Sequence, residues 1–167
     1  MAPRQGRPVR PYASIREGRE LIGERFLERG SRLAALLVGG EGGLLMVANR
    51  VAPTSELADR LFARVREIVD HQSQELMWGS PGTMLAALAL HSWTGDQRWL
   101  AAWQESADAL LARRDADGLW TQRIQRDREN RYLGPVHGLL GNVHALRAGG
   151  DETTAPAAAG VLAREAV

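Results

Sequence analysis

The chain has 167 residues, enough for one domain with a sizeable core but short for an elaborated enzyme. Its 21 basic residues, all arginine, nearly balance 20 acidic ones, so no global field draws it to nucleic acid or a membrane. The absence of cysteine excludes disulfides, thiolate zinc ligation and a cysteine nucleophile within the chain.

Residues 1–13 form the first segment, with three prolines before any apolar periodicity, and read as a flexible arm. They carry no signal-peptide core, and no later run approaches the ~18 apolar residues of a membrane span. Arginine without lysine and abundant alanine read as bacterial, GC-rich genome composition, and the expected compartment is the cytoplasm. Ser14-Ile15-Arg16-Glu17 is a capping box. It starts a helix that buries Ile15, Leu21, Ile22 and Phe26 and extends to Leu33, Leu36 and Leu37 unless Gly30-Ser31 divides it.

A glycine cluster, Gly39 to Gly43, then opens the short apolar segment Leu44-Leu45-Met46-Val47-Ala48, expected to be buried on most sides. Pro53-Thr54-Ser55-Glu56 is a stop followed by a cap. The next helix carries Leu57, Leu61, Phe62, Val65, Ile68 and Val69 on one stripe, with Asp59, Arg60, Arg64, Arg66 and Glu67 opposite. Gly79-Ser80-Pro81-Gly82 opens a second apolar helix, Thr83 to Leu90. Thr94-Gly95-Asp96 is a turn and N-cap before an amphipathic helix burying Trp99, Leu100, Trp103, Ala107, Leu110 and Leu111.

After the tight turn at Asp117-Gly118, residues to Asn130 read as a polar irregular segment anchored by Leu119, Trp120 and Ile124. Arg131-Tyr132-Leu133-Gly134-Pro135-Val136-His137-Gly138-Leu139-Leu140-Gly141 follows, holding an imidazole at a helix N-terminus where backbone N–H groups converge. Gly149-Gly150-Asp151-Glu152 caps a last helix running to Val167.

The turns Gly40/Gly43, Gly79/Gly82 and Gly138/Gly141 each precede an apolar helix, a turn and an amphipathic helix. With Gly134 these are the expected structural turn glycines. Their unequal spacing argues for a toroid of helical hairpins over a regular solenoid. The expected fold is all-α, about three inner/outer helix pairs of an incomplete (α/α) toroid spanning residues 14–167.

Glu75-Leu76-Met77-Trp78-Gly79-Ser80-Pro81-Gly82 and Tyr132-Leu133-Gly134-Pro135-Val136-His137-Gly138-Leu139-Leu140-Gly141 resemble motifs of the lanthionine synthetase C-like family, the lanthipeptide cyclases and their eukaryotic relatives. Leu36-Leu37-Val38-Gly39-Gly40-Glu41-Gly42-Gly43 agrees with an earlier turn of that family, and the resemblance covers roughly residues 31 to 150. It implies an α-toroid whose central zinc, held by two Cys and one His of later hairpins, activates a Cys thiol. The thiol adds to a dehydroalanine or dehydrobutyrine of a lanthipeptide precursor, or a small thiol is the substrate. It also implies that His137 is the catalytic proton-handling residue, a task suited to an imidazole. The zinc-ligand segments of the family would fall after residue 167, so the sequence is expected to be the front portion of a longer protein or a zinc-free relative. No cofactor is expected on this chain, and no cyclisation by it alone.

The four histidines show no metal-ligand spacing: His144 reads as a packing residue, His71 and His91 as caps or surface groups. Trp99 and Trp103 read as packing between helices, Trp78 and Tyr132 as packing between hairpins. Arg123, Arg126 and Arg128 read as solvated charge, with contact to an acidic peptide leader as the alternative. A non-catalytic helical scaffold for peptide or protein partners is the second functional reading, and self-association through open toroid edges is expected. A glycosidase acting through Glu41 and Glu75 is the third and weakest.

Overall fold

The computed structural model describes residues 41–125 and 128–165. All lie in the second, Arg32–Val167, of two units into which the chain divides. The N-terminal arm, the Ser14 capping box with its helix, Gly40, Arg126 and Val167 lie outside the described residues.

Six helices among the described residues pair as three successive hairpins: α1 (Glu41–Val51) with α2 (Ser55–Glu67), α3 (Ser80–Thr94) with α4 (Arg98–Ala112), and α5 (Leu139–Ala148) with α6 (Thr154–Glu165). Helix α3 also packs on α5 and on α2. The class is all-α apart from one small hairpin. No helix among the described residues is long and apolar enough to cross a membrane.

Local chemistry sets the helix ends. Thr54 caps α2, its hydroxyl accepting the Leu57 N–H at 3.2 Å, and Leu57, Leu61 and Val65 then bury one stripe at helical spacing. Helix α3 ends at Gly95, whose left-handed φ of 71° lets its N–H reach the His91 carbonyl. Asp96 then accepts the Arg98 N–H at 3.0 Å and starts α4. Helix α4 buries Trp99, Trp103, Ala107 and Leu110, and Trp103 Nε1 donates to the Ala145 carbonyl of α5 at 3.2 Å. Its ring lies so close to Gly149 that a Cβ there would stand 2.1 Å from it, which is why the turn after α5 carries glycine. The core centres on Trp99, Met84, Leu90, Leu61, Val65, Leu139 and Leu146.

Asp151 caps α6. Burial opposes its ionised form, but the Thr154 and Thr153 hydroxyls and the N–H groups of both residues hold the carboxyl down from 3.8 to about 2. A carboxylate with a lowered folded pKa stabilises fully above its unfolded value and loses that contribution as pH falls through the folded one. Asp151→Ala should therefore cost about 1 kcal/mol in urea unfolding at pH 7. The difference from wild type should shrink between pH 3.8 and about 2, and a deficit undiminished at pH 2 would refute this role.

Several expectations need correction. The segment before Asn130 is ordered as a hairpin: β1 (Gln122–Gln125) pairs antiparallel with β2 (Arg128–Asn130), with a register irregularity between Arg123 and Gln125. Its strands are nearly all polar, so no apolar alternation announced them. Helix α1 is not buried on most sides. Glu41, Leu45 and Asn49 form a buried stripe, while Val47 and Val51 point away and are exposed. Leu111, expected on the buried face of α4, is 39% exposed, and His144 of α5 faces outward, so it is not a packing residue.

Candidate active site

Helices α3 and α5 both start from a glycine N-cap in extended conformation, Gly79 and Gly138, without a side-chain cap. Each glycine is required by space. A Cβ on Gly79 would lie 2.7 Å from the Glu75 backbone, and one on Gly138 only 1.9 Å from the Tyr132 carbonyl oxygen. Gly141 is similar, its Cβ meeting the Pro135 carbonyl at 2.4 Å. Gly82 is buried in the first turn of α3, and Gly43 lies half-buried inside α1. Gly134 differs: a Cβ there meets nothing within 4 Å and its φ is not positive, so this turn does not need glycine.

The structure brings the second and third turns together residue by residue. The Gln74 carbonyl accepts Asn142 Nδ2 at 3.0 Å, the Glu75 carboxylate contacts His137 Nδ1 at 2.8 Å, and the Leu76 N–H donates to the Val136 carbonyl at 3.1 Å. Gln74 has a φ of 46°, the one positive value at a non-glycine position among the described residues. Its carbonyl is held there by the buried Asn142.

Glu75 is completely buried and sits in its own turn, its oxygens accepting the N–H groups of Met77 and Trp78 as well as His137. A carboxylate held this way is satisfied on both oxygens. With Nδ1 on Glu75, His137 keeps Nε2 as its remaining nitrogen. The side chain is 37% exposed. Trp78 and Tyr132 flank the imidazole with ring centroids at 5.2 and 6.3 Å. Trp78, Tyr132 and His137, with Ile124, Arg128 and Asn130 of the hairpin, line a pocket of about 180 Å³.

The hairpin is pinned to both turns. The Arg123 N–H donates to the Gln72 carbonyl at 3.1 Å, and buried Gln122 accepts the Tyr132 N–H at 3.1 Å.

Among the other candidates, His71 is half-buried with Nδ1 against Ser73 Oγ at 2.8 Å. Burial lowers its pKa below the ordinary value, with the Glu75 charge opposing. It is therefore a turn residue beside Glu75 and neither a helix cap nor a surface group. His91 contacts the Asp96 carbonyl at the end of α3. Glu41 is bound by Arg60 and Arg64 of α2, so Glu41 and Glu75 serve separate clusters. Arg123 pairs with Glu129.

Sequence reasoning singled out His137 and passed over Glu75 as its partner. The one available signal was that Glu75 stands four residues before a helix-opening glycine, as a buried turn carboxylate would. No protein-family model, no curated protein and no solved structure matches the chain.

Proposed function

We propose that this chain is a lanthionine synthetase C-like protein whose Glu75–His137 pair handles the proton in adding a thiol to a dehydroamino acid of a peptide, with the hairpins arranged as part of an (α/α) toroid. The contact that carries this reading is His137 Nδ1 to the buried Glu75 at 2.8 Å, because it joins the two turns on which the family resemblance rests. A zinc ion belongs to that family's chemistry, but the residues present do not fit it. The chain has no cysteine, and no three His, Asp or Glu side chains converge among the described residues. The steps below involve no metal.

A thiolate sulfur attacks the β-carbon of the alkene, forming the C–S bond, while the π electrons move onto the α-carbon and carbonyl oxygen. His137 in its imidazolium form gives the Nε2 proton to the α-carbon and is left neutral, to be recharged by solvent. Glu75 on Nδ1 fixes the ring orientation and stabilises the imidazolium. Trp78 and Tyr132 supply flat apolar walls for the alkene.

The test is run where thiolate and imidazolium are both present. Wild type and His137→Ala are mixed with a dehydroalanine peptide and thiophenol at pH 6, where an aromatic thiol is partly ionised and an ordinary imidazole largely protonated, and the adduct is followed by mass spectrometry. The protein-dependent rate should fall by about 100-fold or more in the variant. A wild-type rate equal to the protein-free rate, with helical circular dichroism intact, would sink the catalytic reading. That result would favour the scaffold alternative, which the exposed Val47, Val51 and Leu140 also support.

A further inference from the structure

The wall of the pocket opposite the imidazole is the hairpin. Residues two apart on a strand share a face, so Arg128 and Asn130 lie on one side of β2 and Glu129 on the other. On the outer side Glu129 pairs with Arg123 across the register, and that charge cancels. Arg131 is likewise neutralised by Asp115 and Asp117. The pocket side presents Arg128 and Asn130, and no carboxylate among the pocket-lining residues faces them. The nearest acid of the site, Glu75, is buried behind His137 with both oxygens engaged. Asn130 gives Nδ2 to the Arg128 carbonyl at 3.3 Å, leaving its amide oxygen as an acceptor. The wall thus offers one guanidinium and one amide oxygen, facing the aromatic rings of Trp78 and Tyr132.

We propose that this pocket binds a carboxylate-bearing residue of a peptide, with the carboxylate on Arg128, the residue's own N–H on the Asn130 amide oxygen, and its apolar part against Trp78 and Tyr132. A planar guanidinium recognises a carboxylate bidentately, which a neutral wall cannot reproduce. The volume of about 180 Å³ is below that of pockets for drug-sized ligands and suits a single residue of a longer chain. The anchoring of the hairpin by Gln122 and Arg123 keeps this wall in place before a ligand arrives. The proposal rests on the peptide-modifying reading only in taking the ligand to be a peptide. The carboxylate can belong to a chain terminus or to an acidic side chain.

Calorimetric titration with three saturated peptides tests it: Ac-Gly-Ala-Leu as free acid, the same peptide as C-terminal amide, and Ac-Gly-Asp-Leu-amide. At least one acidic peptide should bind about 10-fold or more tightly than Ac-Gly-Ala-Leu-amide. Which acidic peptide binds assigns the carboxylate to terminus or side chain. Arg128→Gln should abolish the preference, and Arg123→Gln, on the outer face, should keep it. Equal affinity for acid and amide, no binding of any peptide at millimolar concentration, or an unchanged preference in Arg128→Gln would each overturn the proposal. If Arg128→Gln loses its helical circular dichroism, the acid-against-amide comparison on wild type decides alone. None of these peptides carries a dehydroamino acid, so the result is independent of whether His137 catalyses thiol addition.

Discussion

Replacing Gly138 by alanine should destabilise the fold by about 3 kcal/mol or more, the upper range for forcing atoms into packed structure. The new Cβ would stand 1.9 Å from the Tyr132 carbonyl oxygen, 2.3 Å from its carbon and 2.9 Å from the Leu133 nitrogen. All three are backbone atoms that no rotamer change can move. The Tyr132 carbonyl also accepts the Leu139 N–H at 2.9 Å, so relieving the clash breaks the bond that starts α5. Gly134→Ala is the matched control, four residues away with open space around it. It should be neutral or stabilise by up to about 1 kcal/mol through the unfolded chain. Urea denaturation of the two variants separates them, and a Gly138→Ala protein within about 1 kcal/mol of wild type would show that the start of α5 does not fold back on Tyr132 as described.

Glu75→Ala should cost about 3 kcal/mol, measured in the same way. The carboxylate is fully buried, and its removal orphans the N–H groups of Met77 and Trp78, at about 1–3 kcal/mol for each buried donor left unpaired. Glu75→Gln keeps the shape and one acceptor oxygen, so it should lose less stability. It places an amide where the imidazolium had an anion, and the thiol-addition rate should therefore fall more than stability does. If Glu75→Gln left that rate untouched while His137→Ala abolished it, the carboxylate would be a turn clamp without a part in proton handling. A double-mutant cycle between Glu75 and His137 measures the coupling itself.

Helix positions were legible because they depend on neighbours in sequence. Thr54 caps the helix its position implied, and the Leu57, Leu61 and Val65 stripe is buried at the expected period. The N-cap of α4 falls on Gln97, one residue after the expected Asp96, whose carboxylate accepts the Arg98 N–H. The turn at Asp117-Gly118 is also local, with the Gly118 φ at 89°. The site was half legible. His137 stood out as an imidazole on a glycine turn, but its partner is 62 residues earlier, and no periodicity links positions that far apart. The need for glycine at 138 and 149 comes from the Tyr132 carbonyl and the Trp103 ring, which only tertiary contact reveals. Helix α1 failed in the opposite direction. Its composition is apolar nearly all round, yet its burial follows one face, along Glu41, Leu45 and Asn49, with Val47 and Val51 outside it.

The run of contacts from Gln74, Glu75 and Leu76 to Asn142, His137 and Val136 has a kinetic side. All three bridge sixty or more residues of chain, and all three close the same loop. The entropy of bringing those ends together is lost when the first contact forms, and the second and third add almost nothing to it. The contacts therefore form and open as one step, as the α5 hairpin docks on the α3 hairpin. A molecule in which that docking has not happened has no carboxylate–imidazole pair. Assembly of the site is therefore inseparable from the docking of the two hairpins.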